Sequence, residues 1–96
     1  MKEILKDLNK AFENKVRLGI MSALVVNEDL DFNMLKELLE VTDGNLASHL
    51  KSLEKSKYIS FRKEFLGRKP NTKYSATEAG QKAFVLHIKA IEKLLK

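Results

Sequence analysis

The stretch TDGNLASHLKSLEKS, residues 42–56, combines a leucine repeat with a side made of small polar residues. Leu46, Leu50 and Leu53 recur at the spacing of one helix face. The opposite side carries Gly, Asn and Ser, which are weaker helix formers than the Glu, Lys and Ala of an ordinary solvent-exposed face. Short side chains with hydrogen-bond donors and acceptors allow a helix to approach base edges closely in a DNA major groove. The alternative interpretation is that these are ordinary exposed polar residues.

Eight residues of this stretch are candidate DNA contacts. Asn45 and Ser48 offer donors and acceptors to base edges, whereas Lys51 and Lys55 can pair with phosphates. Gly44 lets the first turn come near the DNA backbone, where the free N–H groups of a helix N-terminus also favour an anion. The predicted contact set of this helix is Thr42, Gly44, Asn45, Ser48, His49, Lys51, Ser52 and Lys55.

The positive charge of the chain is concentrated in one later segment. The 96 residues carry a formal net charge of +5, and residues 58–75 contribute five basic residues against one acidic residue. Such a cluster indicates a polyanionic partner. The alternative is a flexible basic loop with no specific partner.

Within this segment, LGRKPNT predicts a projecting loop. Gly67 can adopt a positive φ at the tip, so that Arg68 and Lys69 extend beyond the fold, and Pro70 stiffens the returning chain. An arginine at such a tip can enter a narrow minor groove, where the negative potential is enhanced. The predicted contact set of this segment is Arg62, Lys63, Arg68, Lys69 and Lys73.

The elements that must position these residues are mainly helical. Apolar residues recur at helical spacing in five segments, and Asn or Thr stands at several of their starts as a candidate N-cap. The predicted helices are residues 2–12, residues 14–26 with Asn14 as N-cap, residues 33–39 with Asn33 as N-cap, residues 42–56 with Thr42 as N-cap, and residues 77–95 with Thr77 at the start.

The period changes from helical to alternating after residue 57. YISFRKEF and KYSA are predicted to form two strands of a hairpin, and Leu30 with Phe32 a further short strand. The resulting fold class is mainly α with a small β-hairpin wing (α+β), that is, a winged helix-turn-helix. We expect one domain over residues 1–96, with the helix-turn-helix at 33–56, the wing at 58–76 and the C-terminal helix at 77–95.

The two terminal helices are predicted to be dimerisation helices. Each presents an apolar stripe that one short protomer would not fully cover, and the C-terminal stripe has the spacing of a helix that packs on another helix. A two-fold axis would then place two recognition helices in successive major grooves, about 34–36 Å apart. The predicted interface residues are Ile4, Leu5, Leu8, Phe12, Phe84, Ile88, Ile91 and Leu95.

Several classes of function are disfavoured by what the chain contains. It has no cysteine, its two histidines are far apart in sequence, and it has no GxxxxGK[ST] phosphate loop. No apolar run has the length of a membrane span. We therefore expect a cytoplasmic protein that is not an enzyme, with no metal, cofactor or membrane partner. His49 is open to three interpretations, DNA contact, structural packing or metal ligand, and His87 is predicted to lie on the surface or in an interface.

Three segments together resemble the winged helix-turn-helix transcriptional regulators of the MarR/ArsR type, especially small prokaryotic members of about 100 residues. They are LDFNMLKELLEVTDGNLASHLKSLEKSKYI, GRKPNTKY and TEAGQKAF, and the resemblance covers about residues 14–90. It implies DNA contact by Asn45, Ser48, His49 and Lys51, and wing contact by Arg68 and Lys69. The chain departs from the family pattern at Lys57, where Gly is common. A left-handed Lys57 would cost about 1 kcal/mol.

The resemblance implies a homodimeric regulator that binds a specific double-stranded DNA sequence and represses by occupying a promoter. It also implies that an unknown small-molecule effector could be held between the protomers, although no residue pattern identifies one. Two alternatives from other classes are a protein-interaction module and a winged helix that binds DNA architecturally without reading its sequence.

Overall fold

A computed structural model describes residues 5–96, so that Ile4 of the predicted interface lies outside the described residues. From residue 6 onwards, the described chain forms four α-helices and three strands around one core. In chain order they are α1 (Lys15–Val26), β1 (Leu30–Asp31), α2 (Phe32–Leu39), α3 (Asp43–Lys55), β2 (Ile59–Leu66), β3 (Lys69–Ala76) and α4 (Glu78–Leu94), with a short 3-10 helix at Lys10–Phe12 before α1. The predicted mainly α fold with a hairpin wing is confirmed.

Three of the predicted helix starts are confirmed by their caps. The Asn14 side chain accepts hydrogen bonds from the Val16 and Arg17 N–H groups at the start of α1. Thr42 accepts from the third residue after it at 3.2 Å, and Thr77 does the same at 3.0 Å. Each cap satisfies backbone donors that a helix N-terminus otherwise leaves unpaired.

The predicted cap of α2 was wrong by two residues. Asp31, not Asn33, is the N-cap, and its carboxylate accepts from the Met34 N–H at 2.8 Å. Phe32 is consequently the first residue of the helix and not part of the short strand. An Asp carboxylate also carries a full negative charge at the positive end of the helix dipole, which favours it as the cap.

The predicted continuous helix over residues 2–12 was also wrong. Turns and a bend follow residue 5, and Asn9 then starts the 3-10 helix by accepting from the Ala11 N–H at 2.9 Å. An Asn side chain bonded to nearby backbone competes with helix continuation. The Asn9 amide group also donates to the Tyr58 hydroxyl, and its backbone N–H donates to Nδ1 of His87. Asn9 therefore fixes the N-terminal segment to the rest of the fold.

The hairpin is tighter than the predicted loop. β2 and β3 pair from Ile59↔Ala76 to Leu66↔Lys69, and Gly67 with a φ of 68° opens the two-residue turn between them. The strands thus include most of LGRKPNT. Pro70 is tolerated in β3 because β1 reaches only Lys73 and Tyr74, so the edge beside Pro70 has no neighbouring strand.

A left-handed residue joins α3 to the wing. Lys57 has a φ of 63°, its N–H donates to the Glu54 carbonyl, and the Tyr58 N–H donates to the Leu53 carbonyl. These two bonds make a Schellman motif with Lys57 at the position that Gly usually occupies. Lys57 thus adopts the left-handed conformation despite its side chain, and the motif fixes the direction in which the wing leaves α3.

The core lies between α1, α3, the sheet and α4. Ile20, Met21 and Leu24 of α1 pack with the leucines of α3, and Phe12 completes the cluster. The centroid of the Phe12 ring lies 5.4 Å from that of Tyr58 and 5.6 Å from that of Phe84.

The buried face of α4 differs from the predicted stripe. It consists of Gly80, Phe84, His87 and Ala90. Phe12 and Phe84 are therefore core residues of the protomer, which removes them from the surface that could meet a partner. Ile88 and Ile91 are half-buried, and Leu95 is exposed.

The surface or interface position predicted for His87 was wrong. His87 is buried, packs against the Phe12 ring, and accepts a hydrogen bond at Nδ1 from the Asn9 N–H at 2.9 Å. Burial lowers the pKa of His87, an effect that the Glu13 carboxylate partly opposes. His87 is a neutral structural residue that secures the N-terminal segment.

Among residues 5–96, no helix combines the length and the apolar character needed to cross a bilayer.

Candidate nucleic-acid interface

The free face of α3 is the polar side that the sequence singled out. Leu46, Leu50 and Leu53 are fully buried against the core. The opposite side of the helix remains exposed, with Gly44, Asn45, Ser48, Lys51, Ser52 and Lys55 at the surface and His49 half-buried at the flank. The helix therefore presents a row of short polar side chains with lysines towards its C-terminal half.

The start of α3 is fixed by local contacts. Glu40 ends α2 in the left-handed conformation with a φ of 52°, and Thr42 caps α3 two residues later. The Asp43 carboxylate in the first turn of α3 lies 2.8 Å from Nζ of Lys36 in α2. The N-terminus of α3 is the end that would approach a phosphate backbone. The Lys36 ammonium group offsets the negative charge of Asp43 there. Thr42 acts in this structure as the cap of α3.

His49 has a partner that the sequence did not indicate. Nη1 of Arg17 in the first turn of α1 lies 3.1 Å from Nδ1 of His49, and Nε of Arg17 donates to the Ala11 carbonyl at 2.7 Å. Arg17 and His49 are 32 positions apart in sequence, and nothing in the local pattern around Arg17 predicts the contact. Arg17 thus joins the candidate site from α1.

The five basic residues predicted for the wing fall into two groups. Arg62 is bonded to Glu64 at 2.6 Å and to Asp29 at 3.0 Å, and Lys73 lies within 4 Å of both carboxylates. The hydrogen bond to Glu64, and after it the bond to Asp29, raise the pKa of Arg62. Two cations and two anions thus form one balanced cluster at the middle of the wing.

The other group has no internal partner. Lys63, Arg68 and Lys69 are exposed, and among the residues that the structure describes they have no ion-pair partner. Their charge is available to an external anion. Arg68 and Lys69 lie at the tip beside Gly67 and Lys63 lies in the middle of β2, so the available positive charge of the wing belongs to three residues, fewer than the five predicted.

A third exposed region lies on α4. Val85 and Leu86 are about half-exposed, and they line a shallow depression with Gln81, Lys82 and Lys89. Leu94 and the C-cap residue Leu95 are also exposed, at the end of the helix and on other sides of it. The exposed apolar residues of α4 therefore include Leu95 of the predicted interface, together with residues that the stripe pattern missed.

Comparison with known proteins places these features in a family. The profile of the winged helix DNA-binding domain family matches residues 16–95. An uncharacterized protein of Methanocaldococcus jannaschii is 38% identical over 87 residues, which is 91% of this chain and 95% of that protein. The family profile identifies a DNA-binding fold and not an enzyme, as the sequence predicts.

Two solved structures show the same arrangement of elements. The transcriptional regulator homologue of Pyrococcus horikoshii superposes with a TM-score of 0.85 at 29% identity, over 98% of this chain and 91% of that one. The YusO protein of Bacillus subtilis has a TM-score of 0.81 at 18% identity, over 98% of this chain and 66% of that one. The resemblance to MarR-type winged helix regulators is confirmed at the level of the fold.

Proposed function

The chain belongs to the winged helix DNA-binding domain family, and from this premise we propose that it is a dimeric transcriptional regulator that reads a specific double-stranded DNA sequence. In this proposal residues 1–96 form one DNA-binding domain. It consists of the helix-turn-helix (33–56), the wing (58–76) and the C-terminal helix (77–95). Its place is the cytoplasm, where the DNA of a prokaryotic cell lies.

The free face of α3 carries the proposal. All three buried residues of the helix are leucines on one side, so the fold leaves Asn45, Ser48 and Ser52 exposed together. Asn and Ser offer both donors and acceptors and are short enough for the helix backbone to come close to base edges. Lys51 and Lys55 supply phosphate contacts on the same side.

The wing provides the second contact in this proposal. Lys63, Arg68 and Lys69 supply charge that no ion pair within residues 5–96 neutralises. Arg68 at the turn would enter the minor groove beside the α3 site, where negative potential favours a guanidinium. Arg62 and Lys73 would hold the wing in place through Asp29 and Glu64 and add little to binding.

Dimerisation through the terminal segments would cover the exposed apolar residues of α4. Leu86 and Leu94 are large and exposed on the helix, Leu95 is exposed at its C-cap, and the exposed Leu5 is the first described residue of the N-terminal segment. A two-fold axis through this region would place two α3 helices in successive major grooves, about 34–36 Å apart. Occupancy of such a site would block RNA polymerase, so the simplest outcome is repression.

Selection of binding sites from random duplexes, followed by affinity measurements on the enriched and on unrelated sequences, tests this function. Lys51→Ala should weaken binding to both kinds of duplex, because phosphates carry no sequence information. Asn45→Ala and Ser48→Ala should each lose about 1–3 kcal/mol of discrimination. Lys93→Ala, which removes an exposed lysine from α4, is the charge-matched control and should change neither. Equal behaviour of all three contact variants on both duplexes would refute base readout.

Sedimentation equilibrium at micromolar concentration tests the dimer. The proposal requires a dimer that Leu86→Glu or Leu95→Glu weakens, since a charge would be buried at the contact. A wild-type monomer at these concentrations would refute the two-half-site arrangement.

A further inference from the structure

The Arg17 guanidinium bridges two elements beside the free face of α3. Its Nε donates to the Ala11 carbonyl at 2.7 Å, which fixes the plane of the group. Its Nη1 lies 3.1 Å from Nδ1 of His49. His49 is half-buried at the edge between the leucine face and the polar face of α3.

The chemistry of the two groups determines the state of His49. A guanidinium carries five N–H donors and no acceptor, and it stays protonated in proteins. A hydrogen bond from Nη1 therefore requires Nδ1 of His49 to accept. A neutral imidazole that accepts at Nδ1 carries its proton on Nε2. A doubly protonated ring would instead point an N–H at another donor and place two positive charges side by side.

The remaining ring nitrogen of His49 is available for an external partner. In residues 5–96, Nε2 has no hydrogen-bond partner. With the proton held there, His49 can donate one hydrogen bond and accept none outwards. This differs from Asn45 and Ser48, whose side chains can do either.

We propose that Arg17 is a positioning residue that makes His49 a donor-only contact of the DNA interface, so that His49 selects a hydrogen-bond acceptor on DNA. Acceptors in the major groove are purine N7, guanine O6 and thymine O4, and phosphate oxygens are acceptors as well. The amino groups of cytosine and adenine would be rejected at this position. The proposal rests on the proposed function, in which α3 faces DNA.

Nitrogen-15 NMR of the histidine rings in the free protein tests the tautomer without DNA. At pH 8 the His49 ring should show the pattern of a protonated Nε2 and an unprotonated Nδ1. Arg17→Gln should shift the ring towards a mixture, because the Gln side chain offers an acceptor as well as a donor. Arg62→Gln removes the same charge on β2 and should leave the His49 ring unchanged.

Two NMR results would overturn the positioning role. One is a wild-type ring protonated at Nδ1, and the other is an unaltered tautomer in Arg17→Gln. The Arg62→Gln control separates loss of the Arg17 contact from loss of one arginine charge, and the unfolding midpoint of Arg17→Gln in urea reports any general loss of structure.

Modified duplexes of the selected sequence identify the acceptor. His49→Phe should reduce affinity about tenfold or more, which corresponds to one good contact. If the acceptor is a base, removal of that atom should cause the same loss in the wild type and no further loss in His49→Phe. A 7-deaza purine removes N7, 2-aminopurine in place of guanine removes O6, and a thymine analogue without the 4-oxo group removes O4. If the acceptor is a phosphate, a single methylphosphonate should do so instead.

Additive losses for every modification would overturn the acceptor claim, because His49 would then contact none of the altered atoms. If no duplex binds at all, the proposed function and the acceptor claim both fail, whereas the NMR result still decides whether Arg17 sets the tautomer.

Discussion

Gly80 in α4 allows the helix to contact the chain where the wing begins, and Gly80→Ala should be strongly destabilising. A Cβ added at Gly80 would lie 2.8 Å from the carbonyl carbon of Tyr58 and 3.0 Å from its Cα, and it would overlap the carbonyl oxygen still more. These are backbone atoms, which cannot rotate away as a side chain could. The backbone there is also held by the bond from the Thr77 N–H to the Tyr58 carbonyl at 3.0 Å and by the Schellman bond at Tyr58.

The size of the effect follows from two opposed contributions. Alanine is favoured over glycine in a helix interior by about 1 kcal/mol. Overpacking a rigid core costs about 1–3 kcal/mol or more, and an overlap with backbone belongs at the upper end. We therefore expect a net loss of about 2 kcal/mol, which lowers the melting temperature of a domain of this size by about 8–16 °C.

Gly44→Ala is the matched control within the same chain. Gly44 is also helical, but a Cβ there would meet nothing within 4 Å. Its stability should stay equal or rise by up to about 1 kcal/mol. Urea unfolding followed by circular dichroism, at one fixed protein concentration, measures both variants. Equal stability of Gly80→Ala and the wild type would refute the claim that close backbone packing positions α4.

Three further predictions concern other contacts. Lys57→Gly should stabilise the protein by about 1 kcal/mol in urea unfolding, because Lys57 occupies the left-handed position of the Schellman motif; an unchanged midpoint would contradict this. Burial lowers the pKa of His87, so the unfolded state binds more protons as pH falls below the ordinary value of 6.5. Stability should therefore fall between pH 7.5 and 5.5, and less so in His87→Asn, which keeps an acceptor for the Asn9 N–H; equal pH dependence of both proteins would exclude His87 as the cause. Arg68→Gln should reduce the slope of log K against log salt by about 0.9 for each phosphate that the variant no longer neutralises, whereas the paired Arg62→Gln should not; equal slopes would show that the ion pairs leave Arg62 as free as Arg68.

Rules that depend only on neighbouring residues predicted three helix starts and the buried face of α3 correctly. Asn14 and Thr42 were identified as caps, and Thr77 as the start of the last helix, because capping needs only a short polar side chain and the next turn of backbone. The leucines of α3 identified its buried face, and the polar face followed by exclusion. Local rules failed at the start of α2, where Asp31 and Asn33 are both good caps and stand two residues apart.

The remaining features depend on contacts between distant residues. The partner of His49 comes from α1, and the pairing of Arg62 with Asp29 spans 33 positions. Glu64 lies two residues from Arg62 and therefore on the same side of a strand, so that part of the cluster had a signal in the sequence. The burial of His87 had no signal in the sequence, because the hydrogen bond that explains it comes from Asn9 at the other end of the chain.

Binding of the wild-type protein to a duplex enriched by selection, in competition with random duplex across a salt series, tests the central claim most directly. The proposed function predicts that log K falls linearly with log salt, because the lysines and arginines release counterions from phosphates. It also predicts that the enriched duplex is preferred at every salt concentration. Equal, salt-sensitive binding to both duplexes would contradict sequence readout and indicate an architectural role. Absence of binding even at low salt would contradict a DNA partner altogether.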